Sequence, residues 1–291
     1  MLEAKSVVVL GQTIAYLEAG GGAPLVFLHG GLCTNQIWRG VIPHLSPAAR
    51  CLAIDMAGTG LSSRSPGETY RFSAQSSYLT TLFDVLDFTQ PVTLVLHGWA
   101  SLPALDWARR FPSRVRGICL IEAVIRPLAW PNLPEPYRKA LQVARAAGGE
   151  NAVMQTDEFF DDVISSQAGD PLPAKTLEEY RSGLGAPGED RRALFTAVTT
   201  LPVSGRPYDT FDLAKRNADW LDTSEIPKLL ILGEPGYLIK SREFAPAFQP
   251  PNQTVARVSG HHLLPEESPD GVGLFLSLWH DQLQLTRNSG R

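Results

Sequence analysis

Short apolar runs recur at residues 13–17, 25–28, 51–54, 92–96, 115–121, 229–232 and 254–258. Several are continuous rather than alternating, the pattern of strands covered on both faces in a parallel sheet. Helical patterning between them predicts helices over 73–86, 101–111, 241–248 and 268–285. This alternation predicts an α/β fold with a mostly parallel central sheet flanked by helices. It is interrupted over residues 126–208, which are rich in Pro, Glu, Ala and Arg and carry only helix-like patterning. That stretch opens with Arg126-Pro127 and the turn-rich Trp130-Pro131-Asn132-Leu133-Pro134-Glu135-Pro136, and it closes near Gly205-Arg206-Pro207. The expected organisation is a core of residues 1–125 and 209–291 with a helical cap, 126–208, inserted after the strand ending at Ile121.

The segment Val92-Thr93-Leu94-Val95-Leu96-His97-Gly98-Trp99-Ala100-Ser101 reads as a buried strand turning sharply into a helix. This is the form of a nucleophile elbow, which presents a reactive side chain on a strained turn. Here the place of the nucleophile is held by Gly98, which tolerates a positive φ but carries no attacking atom. The turn is predicted to form while its chemistry is lost.

The chain has 291 residues and a formal charge of −4, which gives no electrostatic basis for binding nucleic acid. Arg109, Arg110, Arg114 and Arg116 cluster after the elbow and read as a solvated helix end. Cys33, Cys51 and Cys119 are scattered, without a disulfide framework or metal-ligand spacing. The first ten residues lack the pattern of a signal peptide, and no apolar run reaches the length of a membrane span. A cytoplasmic protein, bound neither to membrane nor to nucleic acid and needing no metal or other cofactor, is therefore expected; the sequence leaves its oligomeric state open.

The ordered series Leu28-His29-Gly30-Gly31, Ile54-Asp55-Met56-Ala57-Gly58-Thr59-Gly60-Leu61-Ser62, the elbow, Ile121-Glu122-Ala123, Ile226-Pro227-Lys228, Gly233-Glu234-Pro235-Gly236 and Gly260-His261-His262 resembles the haloalkane dehalogenases. The similarity runs from about residue 13 to residue 285 and implies an α/β-hydrolase fold with a cap. In that family an aspartate displaces halide to form an alkyl ester. A histidine oriented by a carboxylate then activates the water that cleaves it. The resemblance places the nucleophile at Gly98, the histidine at His262 and the supporting acid at Glu122. The alternative acid position falls in the Glu234-Pro235-Gly236 turn, which offers no aspartate. A second departure is Gly31, where many members carry an asparagine that holds the leaving halide together with the tryptophan matching Trp99.

The resemblance thus implies a dehalogenase scaffold without its nucleophile. His262 and Glu122 are expected to act as an acid–base dyad, with the backbone N–H groups of Gly31 and Trp99 as an oxyanion hole and the Trp99 indole as a third donor. Two neighbouring histidines make it open which of His261 and His262 faces the pocket. The expected function is cofactor-independent hydrolysis, elimination or cyclisation of a small to medium apolar substrate. A ligand-binding protein without catalysis and a dehalogenase disabled at one position are the alternatives. Cys33 has no evident base to make it a substitute nucleophile, and Ser101 lies too far along the helix. Asp55 and Asp106 read as turn and helix residues, His29 and His97 as backbone supports, and Trp130, Phe159 and Phe160 as cap aromatics.

Overall fold

A computed structural model describes residues 2–239 and 248–289. Eight strands form one sheet: β1 (Glu3–Val9), β2 (Gln12–Ala19), β3 (Pro24–Leu28), β4 (Arg50–Ile54), β5 (Val92–His97), β6 (Val115–Ile121), β7 (Lys228–Pro235) and β8 (Gln253–Gly260), in the order β1-β2-β4-β3-β5-β6-β7-β8. β2 pairs antiparallel with β1 and β4, and all other pairings are parallel. Every residue of β3 and β5 is buried, which accounts for their largely apolar sequence.

One strand was not anticipated. β1 exposes most of its residues and lacks the apolar density of the inner strands. Its signal is the Leu10-Gly11 pair, both at positive φ, which makes the tight two-residue turn into β2. The helix expected over 241–248 lies, except for Phe248, outside the described residues.

The flanking helices are α1 (Phe72–Val85), α2 (Ser101–Arg110), α8 (Tyr208–Leu221), the short α9 (Leu264–Glu267) and α10 (Pro269–Ser289). Between β6 and α8 run α3 (Glu135–Arg145), α4 (Gly149–Gln155), α5 (Glu158–Gln167), α6 (Ala174–Gly183) and α7 (Arg192–Thr199). Asn217 of α8 donates to the Leu102 carbonyl at 3.1 Å, which ties α8 to α2 on the sheet. Among the described residues no helix is long and apolar enough to cross a membrane.

The loops leaving the C-terminal ends of β3, β5, β6, β7 and β8 converge on one spot. This is where an open α/β sheet collects its ligand-binding residues. Two buried histidines lock that junction. His29 donates from Nδ1 to the Gly30 carbonyl at 2.7 Å and accepts the Met56 N–H at Nε2. His97 accepts the Gly30 N–H at Nδ1 and so donates from Nε2 to the His262 carbonyl at 2.9 Å. Burial lowers their pKa values to about 4 and about 3, so both rings remain neutral acceptors and donors at ordinary pH.

Candidate active site

β5 ends at His97, and Gly98 turns the chain at φ +55° into a single 3-10 turn that leads to α2. Ser101 holds the turn by its hydroxyl, 2.6 Å from the Gly98 carbonyl and 3.0 Å from that of Val124. Its hydroxyl is thus spent on the backbone. A Cβ placed on Gly98 would stand 3.7 Å from His262 Nε2, so the imidazole faces residue 98 at the elbow turn. The same Cβ would lie only 2.9 Å from Gly30 Cα, so the two loops have closed on the glycine.

His262 is buried and its Nδ1 lies 3.3 Å from Glu122 Oε2. Glu122 follows β6, is also buried, and sits at φ +45°. Backbone N–H groups from the segment after β7 converge on its carboxylate: Tyr237 at 3.2 Å on Oε1, Leu238 at 2.6 Å and Ile239 at 3.4 Å on Oε2. Burial pushes the Glu122 carboxyl up, while the three backbone donors favour its ionised form. Burial also lowers His262 to about 4. With Glu122 accepting on every side, Nδ1 is the donor of the pair, and a neutral imidazole presents a basic Nε2 to Gly98. The His262 peptide is fixed from both directions, its N–H donating to the Gln167 carbonyl at 3.0 Å and its carbonyl accepting from His97.

The neighbouring histidine turns away. His261 pairs through Nδ1 with Glu267 at 3.2 Å and is partly exposed, so His262 is the ring that faces inward. Glu234 is exposed and pairs with Arg257, which removes the β7 turn as a second source of acid. Asp55 accepts the N–H groups of Asn35 and Leu61, and Asp106 pairs with Arg109 and Arg110 on α2. Burial pushes the Cys33 thiol far up, so it supplies no thiolate.

A cavity of about 20 Å³ lies between Gly31, Gly98, Trp99 and His262, with room for one water. That is smaller than the small to medium substrate expected from the sequence would need. Its lid comes from Tyr137, Gln167, Ala197, Val198 and Leu201, whereas Trp130, Phe159 and Phe160 do not line it. A Cβ on Gly31 would fall 2.7 Å from Ala197 Cβ, so α7 occupies the space a larger side chain there would need. The expected third donor is not free: the Trp99 indole donates to Thr200 Oγ1 at 3.2 Å, and Thr200 in turn donates to the Thr196 carbonyl. The backbone N–H groups of Gly31 and Trp99 have no acceptor among the described residues. Sequence reasoning missed Gln167, Ala197 and Thr200, because no motif fixes which faces of the cap helices meet the sheet.

Fold and site together define an α/β hydrolase, and the α/β-hydrolase fold family matches residues 23–147. Within that class the chain belongs to the haloalkane dehalogenase family. It is 36% identical to a haloalkane dehalogenase of Sphingobium indicum, over 97% of this chain and 96% of that protein. It is 33% identical to one from Mycolicibacterium smegmatis, over 90% of this chain and 86% of that protein. The crystal structure of the haloalkane dehalogenase DbeA from Bradyrhizobium elkani superposes with a TM-score of 0.92 at 30% identity, covering 98% of this chain and all of that one, as 100%. DatA from Agrobacterium tumefaciens C58 gives a TM-score of 0.90 at 31% identity over 97% of both chains.

Proposed function

We propose that this protein is a hydrolase-fold enzyme that works without a covalent intermediate, His262 acting as general base and Glu122 orienting it. The observation that carries this reading is the position of His262 Nε2, 3.7 Å from where a side chain on residue 98 would begin, with Nδ1 held by a carboxylate that three backbone amides support. A water beside Gly98 gives its proton to Nε2 while its oxygen attacks an electrophilic carbon. The N–H groups of Gly31 and Trp99 take the developing oxyanion. The substrate class is a small, neutral, mostly apolar molecule with a polarised carbon–oxygen bond, admitted when the cap helices lift from the cavity.

Carbon–halogen displacement is not supported by this site. Loss of a nucleophile that belongs to a catalytic triad lowers turnover by about six orders of magnitude. Oxyanion donors give little help to a leaving halide, and both halide contacts implied by the family are altered here. The closing of α7 on Gly31 also favours divergence over disablement at residue 98 alone.

A second reading, ligand binding without catalysis, draws support from the small cavity volume. The two separate on one experiment: hydrolysis of short-chain chromogenic esters by the parent protein and by His262→Ala. The enzyme reading expects turnover that falls by roughly 10²–10⁴ in the variant. Equal rates in the two proteins contradict it.

A further inference from the structure

Gln167 closes α5 and is only 1% exposed, yet its side-chain Nε2 finds no hydrogen-bond partner among the described residues. A buried amide left unpaired is strongly disfavoured in folded proteins, and its usual remedy is an ordered water. Gln167 lines the same cavity as His262. Its backbone carbonyl accepts the His262 N–H, so the end of α5 is tied to the loop that carries the imidazole. A half-turn of the carboxamide exchanges its donor and acceptor ends without altering its shape.

The polar groups around the cavity select what it can hold. Gly31, Trp99 and Gln167 all line it, and each carries an N–H group with no acceptor among the described residues. His262 Nε2 offers a lone pair, because Nδ1 carries the proton shared with Glu122. A halide ion accepts and cannot donate, so it would meet the Nε2 lone pair unsatisfied. A water donates to Nε2 and accepts from the Gln167 carboxamide, which leaves the N–H groups of Gly31 and Trp99 for the oxyanion, and the volume of about 20 Å³ fits one.

We propose that Gln167 is a positioning residue that holds a single water against His262 Nε2. Its use in catalysis rests on the reading of His262 as a base, whereas the binding of the water does not. In the reaction of an ester the water oxygen forms a bond to the acyl carbon and its proton passes to Nε2, as the carbonyl π pair moves onto oxygen. Collapse of that oxyanion breaks the bond to the alkoxide, which leaves with the proton from Nε2. Atoms and charge balance without a further reactant.

The test is a high-resolution crystal structure of the full chain and of Gln167→Leu, joined to NMR titration of the His262 imidazole in the parent and in Gln167→Glu. The expected result is one water within hydrogen-bond distance of both the Gln167 carboxamide and His262 Nε2, absent from Gln167→Leu. In Gln167→Glu the imidazole pKa rises by about one unit or more, because a carboxylate then faces it. With p-nitrophenyl acetate as probe, Gln167→Leu lowers kcat at least roughly tenfold and leaves KM unchanged. An empty cavity in the parent, a water retained in Gln167→Leu, or an unmoved imidazole titration in Gln167→Glu overturns the assignment. If the water depends on Gln167 while no hydrolysis depends on His262, the water site stands and the base assignment falls.

Discussion

Gly31 offers the sharpest steric test of how the cap has closed on this site. A Cβ there would stand 2.7 Å from Ala197 Cβ, against the roughly 3.5–4.0 Å at which carbon atoms rest in contact. Gly31 is not among the residues with positive φ, so Gly31→Ala carries no backbone penalty and the whole effect is overlap with α7. Relieving an overlap of about 1 Å requires a shift of α7 or of the β3 loop, and overpacking of this kind costs about 1–3 kcal/mol. For a chain of this size that is a fall in Tm of about 1.5–2 °C per kcal/mol. Ala197→Gly removes the opposing methyl and by itself costs about 1 kcal/mol of helix propensity. The double variant is then expected to recover most of the Gly31→Ala loss, with a coupling of about 1–2 kcal/mol in urea unfolding. Strict additivity of the two substitutions refutes the packing of α7 against Gly31.

Four further outcomes follow from the same geometry. Burial holds His262 near 4, so its neutral, basic form persists well below neutrality, and His262-dependent turnover is expected to stay level down to about pH 5 and to fall below about pH 4; a midpoint near 6.5 in the pH–rate profile contradicts it. Because the native ring is protonated less readily than the unfolded one, the same group withdraws stability as pH falls from 6.5 to about 4. Glu122→Gln sets an amide donor among donors from Tyr237, Leu238, Ile239 and His262, and the expected result is a loss of about 1–3 kcal/mol in chemical unfolding together with lost turnover; wild-type stability contradicts the carboxylate's role. Gly98→Asp alone is expected to leave halide release at background, since the Trp99 indole is engaged by Thr200 and Ala197 blocks the side of Gly31; prompt halide release after that one change contradicts it.

Much of the framework was legible in the chain. Continuous apolar runs marked β3 and β5 because those strands are covered on both faces, and the glycine and histidine turns marked the loops that leave them. β1 escaped because an edge strand with a solvated surface needs little apolar sequence, leaving only its Leu10-Gly11 turn as a mark. Gly98, Glu122 and His262 lie on loops whose geometry the sheet dictates, so their convergence followed from order along the chain. The choice between His261 and His262 did not, since it depends on the peptide contacts with His97 and Gln167. The lid residues were illegible for a related reason: Gln167, Ala197 and Thr200 meet the site through the packing of α5 and α7 across the sheet, a tertiary choice that helical periodicity leaves open.

The most direct measurement is intact-protein mass spectrometry of the unaltered chain during incubation with a bromoalkane, with bromide release followed in parallel. The expected result is a protein mass that never changes and bromide at the level of the buffer control. An alkyl adduct on any residue, accompanied by bromide release above that control, would contradict it.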